Sequence, residues 1–287
     1  MPDAFIPKRP IVTAYPKLSD AFKEAEAIAA YLKDKGLDAP CGSLYDEGLR
    51  KRVRNREFDI LIAVGGDGSV LRAGHLCAPS GVPILGVNLG RIGFLIQVDR
   101  DEWREYFEKL FNGEAWIENR MMLYAEHVRA GEHLGGWNAL NEVVVGRGLN
   151  LRPVRLTASV DGRQLTSYVA DGLIASTATG STAYALAADG RILPPELRNI
   201  LLVPIAPHLS VDRAVVLSEG SSVTILVNGE NAVLSVDGQP PVSLIEDDHV
   251  DVRAAEVTAQ FVRFGDPGYF YRNLTAHMNE NSLGLPR

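Results

Sequence analysis

The first third of the chain alternates largely apolar runs with segments whose apolar residues recur every three or four positions. The runs Ile11–Tyr15, Asp59–Val64 and Val82–Leu89 are typical of strands buried on both faces of a parallel sheet. A helix that begins at Ser19 and is capped by Gly36 is predicted between the first two strands. Its apolar face comprises Phe22, Ala25, Ala29 and Leu32.

A second amphipathic helix is predicted after the third strand. Asp99 is its predicted N-cap, Glu102 follows three residues later, and Asn112–Gly113 ends it. Its apolar residues are Trp103, Phe107 and Leu110. Strands that alternate with helices indicate an α/β layer domain.

After about residue 115 the pattern changes to strict alternation of apolar and polar residues. The alternation surrounds Asp161–Gly162, Asn228–Gly229 and Asp237–Gly238, dipeptides that favour tight hairpin turns. We therefore predict an α/β domain over residues 1–115, with a parallel, Rossmann-like sheet. A β-rich domain over residues 116–261 would consist of antiparallel hairpins arranged like a β-sandwich. The polar tail, about 262–287, would pack back on the first domain or be partly loose.

Composition and charge narrow the class of protein. A formal net charge of −7 argues against a general nucleic-acid or membrane-surface binder, and we interpret the basic run Leu49–Arg56 as a solvated helix face. No stretch approaches the roughly 20 apolar residues of a membrane span. Cys41 and Cys77 lack any zinc or disulfide spacing, and the N-terminus lacks a signal-peptide pattern, so a cytoplasmic protein is expected.

The segment Ala63–Ala73, AVGGDGSVLRA, places an acid inside a glycine cluster at the end of a predicted strand. Backbone N–H groups at such a strand-to-helix turn attract anions. Asp67 is therefore either the helix N-cap or a functional carboxylate that addresses Mg²⁺ or a hydroxyl about to attack a phosphoryl group. The segment matches neither a Walker A loop nor the dinucleotide-binding glycine fingerprint.

Two further segments carry polar side chains beside predicted strands. Asn141–Glu142 precedes a strand and suits either sugar hydroxyls or an ordinary turn. The loop within Ala170–Gly190 bunches hydroxyl groups around Gly180, as in loops that wrap a nucleotide or in an ordinary Ser/Thr-rich turn. The hydroxyl-bearing residues are Thr177, Thr179, Ser181, Thr182 and Tyr184.

Taken together, these segments resemble the NAD kinase family, which phosphorylates the 2′-hydroxyl of the adenosine ribose of NAD. The matching blocks, in order, are GGDG (65–68), NLGRIGFL (88–95), NE (141–142), DGLIASTATGSTAYALAADG (171–190), PIAPHLS (204–210) and VDGQ (236–239). The glycine–Asp–glycine turn alone is shared with related lipid and sugar-phosphate kinases. The blocks in this order are far more specific.

The resemblance implies roles for individual residues. Asp67 would be the general base on the ribose hydroxyl. Gly66, Gly68 and Arg72 would lie in the nucleotide site, and Phe94 would border the adenine. Asn141 and Glu142 would hydrogen-bond NAD, and Asp171 would hold its nicotinamide end. Around the adenosine the resemblance places Thr179, Thr182, Ala183, Tyr184, Ala185, Leu186 and Ala187, with Gln239 from the late hairpin. Arg152 is added only by its distance from the Asn–Glu pair.

The resemblance also implies ATP as phosphoryl donor, a divalent metal, Mg²⁺ being expected, and a homodimer or homotetramer. No nucleic acid or membrane partner is expected. Three alternatives stay open: an NADH-preferring member of the family, a non-catalytic dinucleotide-binding member, and a lipid or polyol kinase of the same superfamily.

The chain departs from the family pattern at several positions. Ala178 replaces a loop proline, and Val169 stands where many bacterial members carry an arginine linked to preference for NAD over NADH. Asp189 and Arg191 replace a glycine and a proline. If position 189 needs a positive φ, Asp tolerates it better than most residues. If the backbone there approaches a ligand, the carboxylate would repel a pyrophosphate.

Overall fold

The computed structural model describes residues 5–16, 19–90, 93–149, 151–208, 212–229, 231–272 and 274. This part of the chain forms two compact units. One combines the described residues up to Asn119 with those from Thr258 onward, and the other comprises Arg120–Val257. The domain limits predicted after residues 115 and 261 stay predictions.

The elements alternate in the first unit and are mostly strands in the second. In chain order the strands are β1 (Pro10–Ala14), β2 (Cys41–Ser43), β3 (Ile60–Gly65), β4 (Ile84–Asn88), β5 (Val98–Asp99), β6 (Ala115–Arg129), β7 (Glu132–Ala139), β8 (Glu142–Gly146), β9 (Val154–Val160), β10 (Arg163–Ala170), β11 (Gly172–Ser176), β12 (Ile200–Ile205), β13 (Val215–Leu217), β14 (Val223–Val227), β15 (Ala232–Val236), β16 (Val242–Leu244) and β17 (His249–Phe264). The α-helices are α1 (Ser19–Asp34), α2 (Glu47–Arg54), α3 (Asp67–Cys77), α4 (Trp103–Phe111) and α5 (Tyr184–Ala187).

The first unit is built on a parallel sheet in the order β2–β1–β3–β4. The last part of β17 joins β4 in parallel, where Phe261 lies opposite Ile84. Residues of α1 and α4 bury their apolar faces against the sheet, with Ile28 and Trp103 in one cluster with Val64. This arrangement confirms the predicted α/β architecture.

The second unit contains two antiparallel sheets. One has β10, β9, β14 and the first part of β17 side by side, and the other has the order β13–β12–β11–β8–β15–β16. Leu156 and Ile225 from the first sheet lie in one buried cluster with Val145 and Leu173 from the second. The apolar face of each sheet is therefore covered by the other, as in a β-sandwich.

Most of the predicted elements of the first unit are present, with one error at a helix start. Gly36 ends α1 with a φ of +85°, and its N–H donates to the carbonyl of Lys33, as expected of a C-terminal cap. The prediction of Asp99 as N-cap of α4 is wrong, because Glu102 holds that position. Asp99 instead ends β5, and its Oδ1 accepts a hydrogen bond from Asn88 Nδ2 at 3.0 Å.

Two of the three predicted hairpins are present. Asp161–Gly162 joins β9 to β10, and Asp237–Gly238 lies in the connection from β15 to β16. Both dipeptides have two positive φ angles. The hairpin predicted at Asn228–Gly229 is wrong, because β14 pairs with β9 and β17 whereas β15 pairs with β8 and β16. The chain passes from one sheet to the other there.

The remaining features concern charge, cysteines and the tail. In α2 Val53 is buried while Lys51 and Arg52 are exposed, which confirms the solvated basic face. Cys41 and Cys77 are free thiols. Among the described residues, no helix is long and apolar enough to cross a membrane. The tail from residue 275 lies outside the described residues.

Candidate functional site

The glycine turn lies at the carboxyl end of β3, beside the point where the sheet order reverses. From β1 the chain goes to β2 on one side and returns to β3 on the other. Open α/β sheets bind ligands at such a switch point, outside the carboxyl ends of the strands. Gly65 ends β3, Gly66 is the N-cap of α3, and Asp67 is the first residue of that helix.

The Asp67 carboxylate is held by two backbone N–H groups. Phe94 N–H donates to Oδ2 with N···O 2.8 Å, and Leu95 N–H donates to Oδ1 with N···O 3.2 Å. The N-cap interpretation of Asp67 is therefore wrong, because Gly66 holds that position. A Cβ placed on Gly93 would overlap the carboxylate, so any other residue at position 93 would displace the carboxylate or the loop.

The three glycines of the turn differ in what they require. Gly65 has a φ of +153°, and a Cβ there would overlap the Ser69 side chain. In contrast, a Cβ on Gly66 would meet nothing within 4 Å, and one on Gly68 would meet only Arg72 Nη1 at 3.5 Å. The fold itself needs Gly65 but leaves open backbone at the other two, where a ligand can approach closely.

Arg72 is fixed beside the turn by a backbone carbonyl and two aromatic rings. Its Nη1 donates to the Gly68 carbonyl at 3.0 Å. Its guanidinium carbon lies 5.6 Å from the Tyr15 ring centroid and 6.0 Å from that of Tyr45, within the range of cation–π attraction. Tyr15 follows β1, Tyr45 follows β2, and Arg72 lies in α3, which follows β3. All three side chains therefore come from segments that begin at the carboxyl ends of neighbouring strands.

In the second unit, one carboxylate organises the Asn–Glu segment. Asp237 accepts hydrogen bonds from the N–H groups of Leu140, Asn141 and Glu142, with N···O distances of 2.6, 2.9 and 2.8 Å. The pairing of β15 with β8 explains the contact, since Val236 lies opposite Val143. The turn predicted at Asp237 thus also holds the segment Leu140–Glu142 in place.

The hydroxyl-rich loop packs against the same segment. Thr177 N–H donates to the Asn141 carbonyl at 2.9 Å, and Thr177 Oγ1 donates to the Leu140 carbonyl at 2.6 Å. A Cβ on Gly180 would overlap the backbone of Asn141. The structure therefore brings three separate sequence blocks together at one end of β11, β8 and β15. Within the loop, Thr182 Oγ1 donates to the Thr179 carbonyl at 3.2 Å.

Glu142 is a buried acid whose chemistry differs from that of an ordinary surface carboxylate. It is 8% exposed, and its Oε2 has no hydrogen-bond partner among the described residues. Burial, helped by the negative charge of Asp237, raises the pKa of Glu142 to about 7. Near neutral pH this side chain can therefore either donate or accept a hydrogen bond.

The other predicted residues occupy varied positions. Tyr184, Leu186 and Ala187 of α5 are exposed, whereas Ala185 is fully buried in an apolar cluster with Ile174. Phe94 is half-buried in the loop after β4, and Ala183 directly precedes α5. Asp171 forms an ion pair with Arg147 Nε at 3.0 Å. Gln239, after the Asp237 turn, and Arg152, between β8 and β9, are both exposed.

The family departures also have definite positions. Asp189 is exposed with a φ of +62°, so this position does require the left-handed conformation that favours glycine. Ala178 is buried in the cluster that contains Ala185, and Val169 is exposed. Arg91 and Ile92 of the second block and Leu209 and Ser210 of the fifth lie outside the described residues.

Sequence reasoning missed several residues that shape these sites. Tyr15 could have been recognised from the sequence, because it stands at the end of a predicted strand. Arg120 is buried and donates to Thr179 Oγ1 at 3.5 Å, and Arg263 is buried with Glu118. No local pattern marks a charged residue as buried, because its partner lies far away in the sequence.

Comparisons with known proteins identify relatives. Residues 21–115 match the model of the ATP-NAD kinase N-terminal domain, and residues 140–264 match that of the C-terminal domain. The NAD kinase of Chloroflexus aurantiacus is 38% identical over 278 residues, covering 94% of this chain and 99% of the relative. That of Heliobacterium modesticaldum is 42% identical over 221 residues, covering 76% and 78%. The crystal structure of yeast NADH kinase complexed with NADH gives a TM-score of 0.84 at 23% identity, covering 98% of this chain and 90% of the other. At that identity the likeness establishes the fold alone.

The contact between Gly93 and Asp67 predicts a position-specific loss of stability. In Gly93→Ala the new Cβ overlaps the carboxylate, so the loop must shift and its hydrogen bonds to Asp67 weaken. We expect the free energy of unfolding, measured by urea titration, to fall by about 1–3 kcal/mol. The matched control is Gly90→Ala in the same loop, where a Cβ meets nothing within 4 Å and the expected change is below about 0.5 kcal/mol. Equal stability of the two variants would contradict this geometry.

The raised pKa of Glu142 predicts a pH-dependent cost of burial. Because its pKa is about 7 in the folded state and 4.5 in its unperturbed state, wild-type stability falls as pH rises from 4.5 to 7. Glu142→Gln lacks this loss, so its unfolding free energy relative to wild type should rise over that interval by about 3 kcal/mol and then level off. Urea titrations without nucleotide at a series of pH values measure this. Glu132→Gln, at an exposed position of β7, is the control, and a flat difference for Glu142→Gln would refute the assignment.

Proposed function

The chain belongs to the NAD kinase family, and we propose that it transfers the γ-phosphoryl group of ATP to the 2′-hydroxyl of the adenosine ribose of NAD. The oxygen–phosphorus bond to the ribose forms, the bond to ADP breaks, and the hydroxyl proton leaves to a base. One observation supports the residue assignment above all. The carboxylate of Asp67, in the glycine turn, is held by the backbone N–H groups of Phe94 and Leu95.

We propose Asp67 as the general base. The two N–H donors fix the orientation of the carboxylate. A carboxylate is an acceptor with about four lone-pair sites, which suits it to take the proton of a substrate hydroxyl. A weak base suffices, because phosphoryl transfer depends mainly on alignment and charge stabilisation and the proton is released as the ester forms.

The bare backbone at Gly66 and Gly68 supports phosphate binding at the same turn. Both are exposed and have room for a Cβ, so the fold gives no reason for glycine there. The N-terminus of α3, an eleven-residue helix, favours negative charge. Arg72 adds a guanidinium beside the turn, which suits phosphate oxygens.

The second unit would bind the dinucleotide. Asn141 and Glu142 would hydrogen-bond it, with the free Oε2 of Glu142 as one contact. Asp171 would hold the nicotinamide end. The residues assigned to the adenosine are Thr179, Thr182, Ala183, Tyr184, Ala185, Leu186 and Ala187, with Gln239 and Arg152 as further contacts.

A divalent cation is proposed to enter with ATP. The described residues contain no group of three or more His, Cys, Asp or Glu side chains that could hold a metal ion. Mg²⁺ usually keeps several waters and is bound through substrate phosphates with one or two carboxylates. Its contribution when bound is to neutralise charge on the transferred group. A homodimer or homotetramer and a cytoplasmic location complete the proposal.

Asp67→Asn tests the role of the acid. Asn retains one acceptor oxygen but cannot take the ribose proton, so NADP formation from NAD and Mg-ATP should fall about 10²–10⁴-fold. NAD binding, followed by calorimetry, should persist. The control is Asp46→Asn, an acid that caps α2 in the same unit and should leave the rate unchanged. Near-normal turnover by Asp67→Asn would exclude it as the base.

Asp189→Gly distinguishes the two interpretations of that departure. Since Asp189 is exposed with a φ of +62°, glycine should relieve backbone strain and raise the unfolding free energy by about 0.5–1 kcal/mol, with NADP formation unchanged. Asp189→Asn removes only the charge and should match wild type in both respects. If the carboxylate instead repels the dinucleotide, both variants would lower the KM for NAD.

A further inference from the structure

The loop that holds Asp67 is itself tied to the last residues of β17. Arg263 Nη1 donates to the Leu95 carbonyl at 2.9 Å. Two residues along the loop, Gln97 Nε2 donates to the Phe264 carbonyl at 2.9 Å and Gln97 Oε1 accepts from the Phe264 N–H at 3.1 Å. The loop whose amides bind the carboxylate is thus anchored by Arg263 and Phe264, neighbouring residues of one strand.

Arg263 has little freedom to move. It is 1% exposed, and its Nε donates to Glu118 Oε2 at 2.8 Å. The Tyr269 hydroxyl donates to the same carboxylate, and the Tyr269 ring centroid lies 4.8 Å from the guanidinium carbon. Because the guanidinium is a rigid planar fork, fixing Nε on Glu118 also fixes the position of Nη1 at Leu95.

The buried ion pair is a costly way to stabilise this part of the fold. Burying two charges carries a desolvation penalty that their attraction often only balances. In addition, Arg263 Nη2 is buried without a hydrogen-bond partner among the described residues. What arginine supplies, and an apolar residue or a lysine does not, is a second rigid donor aimed at the Leu95 carbonyl.

We propose that Arg263, held by Glu118, is a positioning residue for phosphoryl transfer. It fixes the carbonyl of Leu95, the residue whose N–H orients the Asp67 carboxylate, without touching either substrate. The proposal rests on the assignment of Asp67 as general base. It predicts that loss of the tether lowers kcat while the KM values for NAD and ATP stay nearly constant, since misplacing a catalytic group by about 1 Å costs up to about 10²-fold in rate.

Arg263→Lys is the central variant. Its ammonium can still pair with Glu118 but cannot also reach Leu95 in the same geometry. We expect kcat to fall about 10- to 100-fold, with both KM values within about threefold of wild type. Hydrogen exchange at the Leu95 amide should become at least about tenfold faster. Gln97→Ala removes the tether to Phe264 and should lower kcat in the same way, which keeps the test valid if Arg263→Lys does not fold.

The matched control is Tyr269→Phe. It deletes another hydrogen bond to Glu118 but keeps the ring beside the guanidinium and the bond from Arg263 to Leu95. Its unfolding free energy should fall, while kcat and exchange at Leu95 stay at wild-type values. If Tyr269→Phe lowers kcat in proportion to its stability, or if Arg263→Lys keeps the wild-type kcat, the positioning role is overturned. Asp67→Asn run in the same assay separates the two proposals, because retained turnover there refutes the base assignment instead.

Discussion

The hydrogen bonds from the Phe94 and Leu95 amides to the Asp67 carboxylate are the interaction on which the first site depends. They join the turn after β3 to the loop after β4, two neighbouring strands of a parallel sheet. A carboxylate at a helix start has several possible partners, including the amides of its own helix. Because these amides belong to a different loop, an acid at this position is compatible with the phosphate-binding turn proposed above.

The second unit uses the same chemistry for a different purpose. Asp237 receives three amide hydrogen bonds and thereby shapes the segment that carries Asn141 and Glu142. The Asp67 carboxylate is held in place by backbone N–H groups of a loop, whereas the Asp237 carboxylate holds the backbone of Leu140–Glu142 in place. Glu142 is affected as well, because burial, with a smaller contribution from the Asp237 charge, raises the pKa of Glu142 to about 7. The carboxylate that orders the segment therefore also changes the protonation of its neighbour.

Local patterns predicted local structure well and long-range pairing poorly. Asp161–Gly162 and Asn228–Gly229 are equally good turn signals, yet only the first joins paired strands, because strand partners are chosen by burial across the sandwich. The blocks around Asn141, Thr177 and Asp237 were recognised one by one from the sequence. Their convergence follows from the antiparallel register of β11, β8 and β15, which no single block contains.

Buried charges mark the limit of sequence reasoning most clearly. Glu118 and Arg263 are 145 residues apart, so the sequence around either residue does not show the partner that allows its burial. A protein that needed only stability at this place could use apolar side chains, which pack at lower desolvation cost. A rigid donor fork that links a strand to the Leu95 carbonyl, in the loop that binds Asp67, supplies direction as well as attraction. Apolar contacts lack the direction of a hydrogen bond, and the general base proposed here needs that direction because it must meet one hydroxyl.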